Sequence, residues 1–261
     1  MGRRVERTSG PQQPTTDAVV PPPLLKEFLQ LLLLCGLTLL LFSWVFPPNG
    51  FWPLAFVCLA PWAIAVCRTR RAWLVHWCSF LLGWGFFLIN LFWLWPVTPP
   101  GYITLAFYLA LYWPLAAWAL RTAQRHGISP VWALPVTWVA CEFLRAIVMT
   151  GFPWFLLGHA FYAQLQLIQI ADITGVYGVT FLAMLANGVI AGFVLSLWRK
   201  PGVPRHPHQL WISAVVTIAA VVGTLLYGNY RTSQTEFAPG PRVAVVQHDF
   251  SLRSQPPYGE R

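Results

Sequence analysis

The sequence predicts an all-α polytopic membrane protein of about seven transmembrane helices, leading into the truncated start of an α/β domain. Three observations carry that expectation. The chain is 57% hydrophobic, 16% aromatic and only 10% charged, with a mean hydropathy of +0.57, a balance typical of membrane proteins. Most of its basic residues sit between apolar stretches. Near the end, Val243-Ala244-Val245-Val246-Gln247 is a β-branched run opening into polar residues, the pattern of a buried strand.

Residues 1–23 are rich in Pro, Gln and Thr and read as a disordered cytoplasmic tail. Apolar spans are then expected at about 24–46, 52–67, 72–95, 101–120, 128–149, 175–198 and 209–228, giving a transmembrane bundle over 24–228. Most approach the ~20 residues that cross a bilayer as a helix. The second is short and carries Pro53 and Pro61, so it is expected to be tilted, kinked or incompletely spanning. The first runs into Trp44-Val45-Phe46-Pro47 without small residues suited to cleavage, so it reads as a retained anchor. Residues 229–261 are read as a periplasmic linker and first strand.

The net charge of +9 would suggest nucleic acid in a soluble protein, but its distribution has a simpler cause. Arg3, Arg4, Arg7 and Lys26 precede the first span, and Arg68, Arg70 and Arg71 follow the second. Arg121 and Arg125 follow the fourth, and Arg199, Lys200 and Arg205 the sixth. The alternate connections, near Pro47–Phe51, Pro96–Gly101 and Thr150–Ile173, hold no Lys or Arg. By the positive-inside rule the N-terminus is cytoplasmic and the tail after the seventh span lies outside. Two tryptophan belts agree: Trp44, Trp52, Trp95 and Trp154 at one face, and Trp73, Trp77, Trp118, Trp132, Trp198 and Trp211 at the other. No nucleic-acid partner is expected.

All five cysteines, Cys35, Cys58, Cys67, Cys78 and Cys141, lie in apolar spans without CxxC or Cys/His spacing. Neither a disulfide framework nor a metal site is supported, and no cofactor is expected. A thiol in apolar surroundings yields little thiolate, which argues against Cys141 as a nucleophile. Asn90 needs a buried partner and is read as a hydrogen bond between helices. His159 reads as a polar interfacial contact, and His206 and His208 as residues of a solvated loop.

Glu142 and Arg145 stand three apart on the fifth span, hence on one helix face. Ionisable groups in a span pair with one another, face the bundle interior or line a wet cavity. Two readings stay open: a mutually neutralising pair, or residues that hold a lipid headgroup or brace the following loop. That loop, Thr150-Gly151-Phe152-Pro153-Trp154 and onward to Asp172, is too apolar for an ordinary connection and too broken by Gly and Pro for a span. It is expected to lie in the outer interface or to re-enter the protein.

Glu142-Phe143-Leu144-Arg145, Thr150-Gly151-Phe152-Pro153-Trp154 and Gln169-Ile170-Ala171-Asp172-Ile173-Thr174-Gly175-Val176-Tyr177-Gly178 closely resemble apolipoprotein N-acyltransferases of bacterial inner membranes. Phe51-Trp52-Pro53-Leu54 matches the same family, and Val243–Gln247 resembles the opening of its nitrilase-like (carbon–nitrogen hydrolase) domain, with His248 where the family often has Gly. The resemblance implies transfer of an acyl chain from a phospholipid donor to the N-terminal amine of a diacylglyceryl-cysteine lipoprotein, in the membrane bilayer. It implies a Cys nucleophile, a Glu base and an oxyanion-stabilising Lys, all expected beyond this chain's last residue, so no catalytic residue is assigned here. Glu142, Arg145, Gly151, Phe152, Pro153 and Trp154 are carried over as substrate-binding candidates. The competing classes are an inactive membrane scaffold or half of a split enzyme, and a transporter. Transporters often show repeats and several midplane charges, and neither is evident.

Overall fold

The computed structural model describes residues 23–198, 207–234 and 240–245. Residues 1–22 of the expected tail, His206, Val246 and Gln247 lie outside them. Among the described residues the chain is helical and contains six helices long and apolar enough to cross a membrane. The protein is a multi-pass membrane protein. The elements are α1 (Leu24–Trp44), α2 (Ala60–Arg68), α3 (Ala72–Asn90), α4 (Pro99–Ala110), α5 (Tyr112–Arg125), α6 (Pro130–Ile147), α7 (Leu165–Ile168), α8 (Ala171–Leu197) and α9 (Pro207–Ser233). Gly240–Val245 lie outside regular secondary structure, with Val243 and Val245 exposed.

Side-chain contacts order the ends of the bundle. The Glu27 carboxylate, at the start of α1, accepts the Arg70 N–H and pairs with the Arg71 guanidinium at the start of α3. Arg121, at the end of α5, donates to the carbonyls of Val66, Thr69 and Arg70. The Arg68 guanidinium lies 4.2 Å from the Trp198 ring centroid, just past α8. These contacts define a basic end. At the far end, Asn90 donates to Ser43 at 3.1 Å, joining α1 to α3 as expected. Asp172 there accepts the Tyr227 hydroxyl and pairs with Arg231 at 3.0 Å, joining α8 to α9. Within the described residues the chain therefore passes between the ends seven times, and the second pass is the short one.

That second pass is a 3₁₀ turn at Trp52–Phe56 followed by the nine-residue α2. Too short to face lipid as a helix, it is enclosed: every residue from Ala60 to Val66 is buried. Irregular backbone at membrane depth is tolerated only where protein satisfies its polar groups. Asn187 of α8 does so with its whole amide. Its Oδ1 accepts the N–H groups of Leu59 and Ala60 at 2.8 and 2.9 Å, capping α2. Its Nδ2 donates to Ala55 and Ala183 at 2.8 and 2.9 Å.

The fourth pass is longer than the 101–120 expected, running from Pro99 to Arg125 with a break at Leu111. Pro114 explains the break, since its ring lacks an N–H for the Ala110 carbonyl. Pro135, inside α6, likewise leaves the Val131 carbonyl without its helical donor. Gly188 of α8 packs at that point, where a Cβ would lie 2.8 Å from the Val131 oxygen. The α6–α8 contact is the most extensive in the bundle. Small residues allow this approach, as in membrane helix pairs generally.

The core is aromatic. Trp62, Trp113 and Trp138 pack edge to face with centroids 4.9–5.7 Å apart. Phe42 and Phe86 lie against them, 4.5 Å from each other. Such pairs add about 0.5–1.5 kcal/mol each beyond area burial. Trp62 Nε1 donates to Ser79 and Trp138 Nε1 to Glu142, both at 3.0 Å, so both indoles keep a partner. Of the ten tryptophans expected at the interfaces, nine are exposed; Trp52 is instead half-buried against Phe56 and Phe161.

Candidate functional site

The last two turns of α6 and the loop beyond them form one unit. After Ile147 the backbone enters left-handed space at three successive residues, Met149 (φ 52), Thr150 (φ 71) and Gly151 (φ 78). Two side-chain-bearing residues at positive φ are costly and mark a functional or tightly held turn. Gly151 has a second constraint, because a Cβ there would collide with the Ala146 carbonyl. The reversed chain is tied back by Phe152 N–H to the Arg145 carbonyl at 2.9 Å.

Glu142 and Arg145 hold this loop by opposite means. The Arg145 guanidinium donates to the carbonyls of Trp154 at 2.7 Å and Phe155 at 3.3 Å. The Glu142 carboxylate accepts the Leu157 N–H at 2.7 Å, the Thr180 hydroxyl at 2.8 Å and the Trp138 indole at 3.0 Å. Thr180 in turn accepts the Gly158 N–H at 2.9 Å. The guanidinium thus serves two loop carbonyls, while the carboxylate serves one loop N–H directly and a second through Thr180. The groups are only 3% and 5% exposed, so unmet partners would be expensive.

This corrects one of the two readings of the pair. Glu142 and Arg145 do not form a direct ion pair; those found among the described residues are Glu27–Arg71 and Asp172–Arg231. The guanidinium goes to loop carbonyls, and the carboxylate to the Leu157 N–H and the Thr180 and Trp138 side chains, which is the bracing alternative. Both groups are buried. The cavity they line with Tyr112, Cys141 and Phe155 is about 20 Å³, room for about one water.

What the brace presents outward is aromatic. Phe152 stacks on Trp154 (5.7 Å, 23°), and Trp154 on Trp93 (5.2 Å, 26°), with Trp154 half exposed and Pro153 exposed. Gly151 is partly exposed beside them. Phe155 turns inward against Phe46 and Phe86. Beyond it the chain dips into the protein as a 3₁₀ turn, Leu157–Phe161, most of it buried, and Phe161 meets Trp52 and Phe56 of the second pass. Re-entry is therefore the form this connection takes.

His159 keeps exposed surface, but desolvation against the loop, and secondarily the Arg145 charge, pull its imidazole below its ordinary range. Cys141 is buried within α6. No group of His, Cys, Asp or Glu suited to a metal occurs among the described residues. Sequence reasoning passed over Thr180 and Asn187. Asn187 carried the same signal as Asn90, an amide in an apolar span; Thr180 carried none, because a Thr in a span commonly bonds its own helix.

Residues 39–189 match the family model described as apolipoprotein N-acyltransferase N-terminal domain. The chain is 34% identical over 230 residues to an apolipoprotein N-acyltransferase of Geobacter metallireducens, covering 82% of this chain and 43% of that protein. It is 34% identical over 169 residues to one from Pasteurella multocida, covering 60% of this chain and 31% of the relative. An apolipoprotein N-acyltransferase 1 of Treponema denticola is 25% identical over 201 residues, 76% of this chain and 37% of that protein. The chain spans less than half the length of these relatives. It belongs to the apolipoprotein N-acyltransferase N-terminal domain family.

Proposed function

We propose that, as a member of that family, the bundle is the membrane part of an inner-membrane apolipoprotein N-acyltransferase. Its task is to present two lipids, a phospholipid acyl donor and a diacylglyceryl lipoprotein acceptor, to a nitrilase-like domain that opens near Val243–Gln247. The basic end is read as cytoplasmic by the positive-inside rule, which puts the braced loop and the end of α9 on the periplasmic side. In the reaction that the family resemblance implies, a thiolate of that domain attacks the phospholipid ester, releasing the lysolipid. The acceptor amine then attacks the thioester, loses its proton to the base and frees the thiol.

The observation that carries this reading is the clamp itself. Glu142 and Arg145 hold the loop that carries Phe152, Pro153 and Trp154 at the same end of the bundle at which α9 stops, with Pro153 and Trp154 exposed. A rigid aromatic edge at that end lets acyl chains pass between bilayer and enzyme without crossing water. At ~0.8 kcal/mol per CH₂, exposing one chain to water would cost on the order of 10 kcal/mol. Gly151, Phe152, Pro153 and Trp154 are thus proposed to touch lipid, and Glu142 and Arg145 to position them.

The test is a chimera. Residues 24–245 replace the matching region of the Geobacter metallireducens relative, in cells depleted of their own N-acyltransferase. Mass spectrometry of a lipoprotein N-terminus should show the third acyl chain. A chimera that reaches normal membrane abundance and leaves the lipoprotein diacylated would overturn the proposal.

A further inference from the structure

At the basic end, α5, α6, α8 and α9 diverge around a cleft of about 840 Å³, on the opposite side of the bundle from the braced loop. Its walls are of two kinds. Trp132, Leu210 and Ile212 supply apolar surface, while Arg68, Gln124 and Gln209 supply polar groups. Trp132 and Ile212 keep large exposed apolar surface, as does Trp211 next to them on α9. An amphipathic cleft suits a ligand with a polar head and hydrocarbon chains.

The charge at the site is one-sided. Lys26, Arg70, Arg71, Arg121 and Arg125 share this end, and the one carboxylate there among the described residues, Glu27, is committed to Arg71 and to backbone. Arg121 is likewise committed, to three carbonyls. Arg68 is different. Its guanidinium stacks on Trp198 but has no hydrogen bond or ion pair to a described residue. Stacking fixes the plane and leaves the N–H edges available, the arrangement that suits bidentate binding of a phosphate.

We propose that this cleft binds one anionic phospholipid, its phosphate on Arg68 and its chains along Trp132 and Ile212. Basic pockets between spans on the positive side of a membrane recognise anionic headgroups in this way. The site lies in the leaflet away from the braced loop, so it is separate from the substrate surface proposed above and does not depend on it.

Native mass spectrometry of the full chain in detergent tests this, with phosphatidylglycerol and phosphatidylcholine of identical acyl chains. One phosphatidylglycerol should be retained with about fivefold preference, the scale of one basic contact at a membrane surface. Arg68→Gln should bring the two lipids to near equality, while Arg68→Lys keeps part of the preference and shows that the fold survives. Arg125→Gln, a basic change at the same end but outside the cleft, should leave the preference intact. An unchanged preference in Arg68→Gln, or an equal loss in Arg125→Gln, would overturn the proposal. So would displacement of the lipid by inorganic phosphate at the same concentration, which would mark a free-phosphate site.

Discussion

Helices α8 and α9 are both 27 residues long, with best-window mean hydropathies of 2.0 and 2.1. Their environments differ sharply: 56% of that window is buried in α8 and 17% in α9. Helix α8 carries Thr180 and Asn187, each turned onto backbone that is not regular helix, and Gly188 against Val131. In α9, Ile212, Val215, Ile218 and Leu226 face outward, and Thr217 bonds back to its own Ser213 carbonyl. Lipid tails are as apolar as leucine, so hydropathy does not separate a helix that meets protein from one that meets lipid. Small residues and polar groups with distant partners do. The irregular segments, Trp52–Arg68 and the loop after α6, both depend on α8.

The largest expected effect is at the clamp. Glu142→Leu strips the acceptor from the Leu157 N–H, the Thr180 hydroxyl and the Trp138 indole, at about 1–3 kcal/mol for each donor left unsatisfied. The thermal midpoint in detergent should fall by many degrees; a midpoint near wild type would mean the loop has another support. Glu142→Gln keeps acceptor oxygen and should fold, but with lower acyl transfer in the chimera. Asn187→Leu comes next, orphaning the Leu59 N–H and leaving the Ala60 N–H only the Val57 carbonyl and the Ala55 carbonyl only the Cys58 thiol, for about 1–3 kcal/mol. Its readout is Cys58, fully buried in the wild type. With the other cysteines replaced, a membrane-permeant thiol reagent should label Cys58 far faster in the variant.

A pair of glycines sharpens the contrast between the two helices. Gly188→Ala in α8 pushes a methyl into the Val131 backbone and should destabilise by about 1–3 kcal/mol. Gly223→Ala in α9 meets nothing within 4 Å, so helix propensity favours it by up to about 1 kcal/mol. Equal midpoints for the two variants would break the distinction. Smallest of all, Leu226→Ala removes an outward-facing side chain and should move stability by no more than about 0.5 kcal/mol.

Much of this was legible residue by residue. Pro53 and Pro61 marked the second pass as broken, and Glu142 and Arg145 stood out because charge in a span demands a reason. Asn90 was correctly expected to join two helices, and Asn187 offered the same kind of signal without its partner being visible. The partners of Asn187 lie more than 120 positions away, at Leu59, Ala60 and Ala55. Nothing in the local pattern foretold that Glu142 would serve N–H groups and Arg145 carbonyls rather than each other. Spacing places both on one face, but the choice between a mutual pair and two separate clamps depends on where the loop folds back.

Class, number of passes and the family resemblance follow from the chain's own pattern, because the bilayer imposes length and apolarity on each span locally. Which span sits at the centre, how the short pass survives without lipid contact, and what the buried charges hold were decided only by packing. Those outcomes rest on distant groups meeting at hydrogen-bond distance, and in a medium without water every such meeting is worth a buried polar group satisfied or left bare.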